Sequence, residues 1–172
     1  MKKKIRFIIN PISGGVKKAK VPQMIEEHLD HTLFDYDIVI TQYKKHAKSI
    51  AEESAREGID IVCAVGGDGS VHEVGTALVG TKCHLAIIPT GSGNGLARHL
   101  KIPLKTPLAI QNINELNSLI MDTGLANDKP FLLGDGSASP RSEKPNHRRH
   151  STPQRDNGNQ QATSDKDPGP TR

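Results

Sequence analysis

The chain has 172 residues, 34% of them apolar and 3% aromatic, with 23 basic and 19 acidic side chains and a formal charge of +4. With the 16 glycines counted and the tyrosines left out the share is about 42%, still below the roughly 45–50% of a uniformly globular chain on the same count, so the length fits one domain with a polar segment and not two domains. The weak charge excess, with no aromatic RNA-binding run and no paired zinc-ligand cysteines, excludes a nucleic-acid partner, and the want of any run of about 18 apolar residues excludes a spanning helix.

Ile5 to Ile9 is an apolar run broken only by Arg6 and bounded by Asn10-Pro11 and Gly14-Gly15, the pattern of a strand buried on both faces. Met24, Ile25, His28 and Leu29 then share one helical face. Tyr36 to Ile40 predicts a second strand. Lys45 to Glu57 predicts a second helix, with Ala47, Ile50, Ala51, Ser54 and Ala55 at helical spacing and Gly58 just past its end. Ile59 to Val65 is a third strand, Val71 to Val79 a third helix ended by Gly80, and Leu85 to Ile88 a fourth strand. Alternation of this kind predicts right-handed crossovers and an α/β fold with a mainly parallel sheet flanked by helices.

Leu96 to Leu100 continues as a short helix, Thr106 to Ile110 begins another, and Leu119 to Asp122 reads as the start of a further strand. Beyond Leu133 the composition changes at once. From Gly134 to Arg172 only Ala138 and Ala162 are apolar, so residues 134–172 are expected to form a disordered polar tail after a folded unit at 1–133. Within that tail His147-Arg148-Arg149-His150 reads as a solvated cluster and not as a lipid site. Cys63 and Cys83 each lie in or beside an apolar run and are expected to be buried, reduced thiols, which with the short apolar start suits a cytoplasmic protein.

In a parallel sheet ligands bind outside the carboxyl ends of the strands, and three of the four ends bear small, glycine-rich segments. The first is Asn10-Pro11-Ile12-Ser13-Gly14-Gly15, where Asn10 and Ser13 can hydrogen-bond an anion. The second is Gly66-Gly67-Asp68-Gly69-Ser70, which opens a helix: its glycines leave a bare surface, and the helix start adds amide donors and partial positive charge, so it reads as a phosphate site. A carboxylate beside phosphate is repulsive unless a metal intervenes or it takes a proton, so Asp68 reads as a Mg²⁺-linked or general-base residue. The third is Pro89-Thr90-Gly91-Ser92-Gly93-Asn94-Gly95, whose Ser92 and Asn94 present a hydroxyl and an amide to the other two. No G-x-x-x-x-G-K-[ST] occurs, which excludes a P-loop ATPase, and the first strand is not followed by the G-x-G-x-x-G of a dinucleotide fold. His28, His31, His46, His72, His84 and His99 show no paired metal-ligand spacing; His46 and His72 lie nearest these segments. Lys44 and Lys45 would oppose a helix dipole and are expected to sit in the preceding loop.

These three blocks, the last continuing into Leu96-Ala97-Arg98, resemble the signature blocks of the diacylglycerol kinase catalytic-domain family, which includes bacterial lipid kinases, sphingosine kinases and ceramide kinases. The likeness runs in order from about Ile5 to about Phe131. The middle block alone also resembles NAD kinases and phosphofructokinases, whose nucleotide domains share the α/β plan. The resemblance implies transfer of a phosphoryl group from ATP, with Mg²⁺, to a lipid hydroxyl at a membrane surface, and hence a cytoplasmic protein peripheral to the inner face. Carried over by position, Asn10, Pro11, Ile12, Ser13 and Gly14, the run Gly67, Asp68, Gly69, Ser70, Val71, His72 and Glu73, and Ser92 would hold phosphates and ribose, with Thr41 on the adenosine side. Ser70 stands where Thr is usual and keeps the hydroxyl; Gly95 stands where Asp is often seen. Relatives continue into a second, mostly β domain, whereas this chain runs into the polar segment, as a truncated or frame-shifted reading of a longer enzyme would. An NAD kinase-like enzyme with the same Gly-Gly-Asp-Gly block and an inactive nucleotide-binding fragment are the alternatives.

Overall fold

The computed structural model describes residues 1–11, 19–126 and 129–132. Four parallel strands, β1 (Lys3–Ile9), β2 (Phe34–Ile40), β3 (Ile61–Gly66) and β4 (His84–Pro89), lie in the order β2-β1-β3-β4. They alternate with α1 (Val21–His28), α2 (His46–Arg56) and α3 (Asp68–Leu78), and β4 is followed by α4 (Gly95–His99) and α5 (Thr106–Asn114). A separate antiparallel pair, β5 (Thr123–Ala126) and β6 (Lys129–Leu132), ends the described chain. The α/β alternation expected from the periodicity is the one observed.

Strand alternation sorts the apolar residues into two layers. Ile5, Phe7 and Ile9 of β1 and Ile61, Cys63 and Val65 of β3 pack on one face against Val21, Ile25 and Leu29 and against Ala109, Ile110 and Ile113 of α5. Ile8, Val62 and Ala64 pack on the other against Ala47, Ile50 and Ala51 of α2 and Val71, Val74 and Leu78 of α3. A strand covered on both faces has no polar position to spare, which is why β3 is buried along its whole length. Arg6 breaks the run without loss. Its guanidinium donates to Asp37 of β2 at 2.7 Å, to Glu57 at 2.8 Å and to Ser54 at 3.2 Å, and so ties the edge strand to the end of α2. Those carboxylates hold the guanidinium even more firmly protonated than usual.

Several boundaries differ from the sequence reading. Helix α3 begins at Asp68, not Val71, because the small residues after β3 turn straight into helical geometry with Gly67 as N-cap. Strand β3 begins at Ile61, since the Ile59 amide is used to bond the Ser54 carbonyl at 3.0 Å beyond α2. Leu119 to Asp122 is not a strand: Leu119 and Ile120 are exposed at 64% and 98%, and extended pairing starts only at Thr123. Lys44 and Lys45 do precede α2, Lys45 in the left-handed region with φ 67°. Both cysteines are free thiols. Cys63 is buried as expected, but Cys83 is only half-buried because it sits at the amino end of the edge strand; desolvation pushes it up to about 11. The expected tail at 134–172 and the segment Ile12, Ser13, Gly14 lie outside the described residues.

Candidate functional site

Strand order locates the crevice. The chain leaves β1 on the α1 face to reach β2, and leaves β3 on the α3 face to reach β4, so connections diverge from neighbouring strands at a topological switch point. The carboxyl edge there presents, in spatial order, Thr41, Asn10-Pro11, Gly66 to Ser70 and Pro89 to Gly95. Strand spacing of about 4.8 Å puts Thr41 about 10 Å across the edge from Gly66. Thr41 is buried, its amide bonded to the Ile9 carbonyl at 2.9 Å, and the Asn10 amide nitrogen reaches the Ser70 hydroxyl at 3.4 Å across the crevice.

The centre of this edge is the start of α3. The first intrahelical bond runs from the Val71 amide to the Gly67 carbonyl at 3.1 Å, so the amides of Asp68, Gly69 and Ser70 precede the helical ladder and point out of its positive end. The glycines here have distinct reasons. A Cβ on Gly91 would lie 2.6 Å from the Gly67 Cα, and one on Gly67 3.2 Å from the Gly91 Cα, so these two let the second and third segments pack backbone to backbone. A Cβ on Gly66 would collide with the Ser70 side chain. A Cβ on Gly69 would meet nothing within 4 Å. No intramolecular contact explains its lack of a side chain.

Asp68 reaches across to the third segment, where its Oδ1 accepts the Gly95 amide at 2.7 Å; its Oδ2 accepts no hydrogen bond among the described residues. The bond fixes the carboxylate, with Oδ2 so close to Gly93 that a Cβ there would lie 2.7 Å from it. Asn94, with φ 54°, clips its own turn: Oδ1 accepts the Gly91 amide at 3.1 Å and Nδ2 donates to the Gly91 carbonyl at 2.8 Å. Its amide group thus shapes the third segment from a buried position. Ser92 is exposed, as is His72; Glu73 is half-buried, and the Val71 side chain belongs to the core, leaving only its backbone to the edge. Asp68, Val71, His72, Gly95, Leu96 and Leu132 line a cavity of about 270 Å³.

Thr90 and Tyr43 were not singled out from the sequence. The Thr90 hydroxyl is buried with no hydrogen-bond partner among the described residues, while its amide bonds the Gly66 carbonyl at 2.9 Å. Nothing in its sequence context distinguishes it from a strand-end threonine. Beyond Thr41, the Gln42 amide donates to His46 Nδ1 at 3.0 Å and the exposed Tyr43 ring stacks on His46 with centroids 4.2 Å apart and planes at 11°, so His46 organises this loop and is not a loose surface residue. The i to i+3 spacing of two aromatic rings was the available signal.

Residues 4–126 match the family model of the diacylglycerol kinase catalytic domain. The chain belongs to that family. The match decides between the families that share a Gly-Gly-Asp-Gly block. Among curated relatives, a diacylglycerol kinase of Staphylococcus aureus is 32% identical over 135 residues, 77% of this chain and 42% of the relative, and one of Mycobacterium tuberculosis is 32% identical over 110 residues, 64% of this chain and 36% of the relative. A crystal structure of a diacylglycerol kinase from Bacillus anthracis superposes with a TM-score of 0.68 at 28% identity, over 76% of this chain and 45% of the other. This chain of the diacylglycerol kinase family therefore spans less than half the length of these relatives.

Proposed function

We propose that the chain is the nucleotide-binding part of an ATP-dependent lipid kinase, which transfers the γ-phosphoryl of ATP to a hydroxyl of diacylglycerol or a related lipid. The observation that supports this most is the start of α3. Three amides outside the helical ladder, a glycine with open space above it and a fixed carboxylate sit at the switch point of a parallel sheet, in a chain of a lipid kinase family. Phosphate oxygens of ATP would take the amides of Asp68, Gly69 and Ser70 and the side chains of Asn10 and Ser92, with the adenosine directed along the edge toward Thr41.

The donor set fits Mg²⁺ held mainly by phosphate and water. Among the described residues no group of three His, Cys, Asp or Glu side chains could hold a metal ion by itself, so Asp68 Oδ2 would be the carboxylate oxygen offered to an ion otherwise held by phosphate and water. When bound, the ion neutralises charge on the transferring phosphoryl. In the reaction the lipid hydroxyl oxygen forms a bond to the γ-phosphorus, the bond to the bridging oxygen of ADP breaks, and the hydroxyl proton leaves to a base. Asp68 would orient metal-bound phosphate or take that proton, in either role through Oδ2.

Calorimetric titration with ATP, with and without Mg²⁺, tests the reading. Wild type is expected to bind ATP more tightly with Mg²⁺, and Asp68→Asn to lose that gain while keeping its metal-free affinity. Absence of ATP binding would refute it, and an undiminished Mg²⁺ effect in Asp68→Asn would rule out the metal-side role and leave Asp68 that of the base.

A further inference from the structure

Between Val74 and Asn114 the sequence contains no Asp or Glu, although acidic residues recur before Val74 and resume at Glu115. Within this stretch Arg98, Lys101 and Lys105 are exposed and have no carboxylate partner among the described residues. Two exposed leucines alternate with them. Leu104 and Leu108, at 41% and 46% exposure, fall in the run Lys101-Ile102-Pro103-Leu104-Lys105-Thr106-Pro107-Leu108, while Ala109 and Ile110 next to them are buried and anchor α5 on the sheet.

The run also has a definite place. Asn114, the last residue of α5, donates to the His28 carbonyl at 2.8 Å and accepts the Asp30 amide at 3.0 Å, which pins the end of α5 beside the end of α1. Helix α1 descends from the carboxyl end of β1 toward the amino end of β2, so the start of α5 points back up toward the carboxyl edge. Arg98, whose Nε donates to the Gly93 carbonyl at 2.9 Å, links the run to the third segment of the site. The basic and apolar surface therefore stands beside the candidate site, on the β4 side of the sheet.

We infer that Lys101 to Leu108, with Arg98, docks the protein on an anionic lipid bilayer, the leucines entering the interfacial layer and the cations resting on headgroups. Alternating apolar and cationic side chains in an acid-free surface match an interface with acyl chains beneath negative charge. A purely polyanionic partner would give the exposed leucines nothing to do. The inference rests on the lipid kinase reading only in choosing a bilayer among anionic apolar partners, and docking here would hold a membrane-borne hydroxyl close to Asp68 and Gly95.

Cosedimentation of the 172-residue chain, without nucleotide, with vesicles of phosphatidylcholine or of phosphatidylcholine with about one-third phosphatidylglycerol tests this. Binding is expected only to the anionic vesicles, weakening as salt rises. Lys101→Gln with Lys105→Gln should lower partitioning about fivefold per charge, and Leu104→Gln with Leu108→Gln about tenfold or more. Leu119→Gln with Ile120→Gln, apolar residues outside the run that are more exposed still, should leave it unchanged. All six positions are exposed, so circular dichroism should match wild type. Failure to bind anionic vesicles, equal binding to neutral ones, undiminished binding in either patch variant, equal loss in the Leu119/Ile120 variant, or patch-dependent binding to polyuridylate in place of vesicles would overturn the inference. The patch variants should still bind Mg·ATP, so a failed docking surface and a failed nucleotide site give different results.

Discussion

Two glycine-to-alanine variants at the candidate site should fail in opposite ways. In Gly91→Ala the new methyl would lie 2.6 Å from the Gly67 Cα, while comfortable carbon contacts are about 3.5–4.0 Å, so two backbone segments must part by about 1 Å. Forced overpacking of that kind costs about 1–3 kcal/mol. At about 4 °C per kcal/mol for a domain of this size, Tm should fall by about 4–12 °C. Gly69→Ala meets no atom within 4 Å, and Gly69 is not among the glycines with positive φ, so alanine fits the first turn of α3. Stability should hold or rise by up to about 1 kcal/mol, since alanine is the better helix former. The methyl does, however, occupy the space through which a phosphate would approach the amides of Asp68 to Ser70. Losing one charge-assisted hydrogen bond costs about 1.5–3 kcal/mol, or about tenfold to a hundredfold in Kd. Scanning fluorimetry and Mg·ATP titration, run on both variants, separate the effects. If Gly69→Ala bound Mg·ATP like wild type, or melted as early as Gly91→Ala, the placement of the phosphate above Gly69 would be wrong.

Thr90→Val should stabilise the free protein by about 1 kcal/mol, because it removes a buried hydroxyl that lacks a partner among the described residues; a Tm below wild type would show that the hydroxyl is satisfied. Arg6→Met should lower stability by about 1–3 kcal/mol, mostly through loss of the tie between β2 and α2, a modest figure because Asp37 and Glu57 are each 47% exposed. Urea melts would read it, and an unchanged midpoint would mean that the network contributes nothing. Thiol ionisation sets an alkaline limit. Cys83 is held protonated up to about 11 while an unfolded thiol ionises near 9, so between about pH 9 and 11 the unfolded state releases a proton that the folded state keeps, and stability should fall as pH rises. Iodoacetamide at pH 8 should accordingly label neither cysteine readily in the folded chain, and rapid alkylation of Cys83 would contradict its environment.

The sequence by itself determined the layers and the sheet edge that carries the candidate site. Short, β-branched apolar runs such as Ile61 to Val65, bounded by turn residues, read as strands covered on both faces, and helical spacing as in Ala47, Ile50, Ala51 and Ser54 supplies the cover; a parallel α/β sheet follows, and with it the rule that ligands lie beyond the carboxyl ends. The glycine-rich blocks then named the edge and the family. What the sequence left open depends on distances between residues far apart in the chain. Three glycines read alike as letters, yet Gly67 and Gly91 are needed for each other and Gly69 is needed for neither, because only the folded backbone sets which Cβ position is empty. The sequence places Asn94 in the third segment, but only the fold shows that its side chain closes that segment's turn onto Gly91. Leu119 and Ile120 have the β-branched and apolar character of a strand but no neighbour to pair with, and a strand exists only where another backbone offers its hydrogen bonds. Local pattern is set by the chain's own periodicity, whereas turn closure, strand pairing and the division of labour among identical residues are set by contacts that form only once the sheet has assembled.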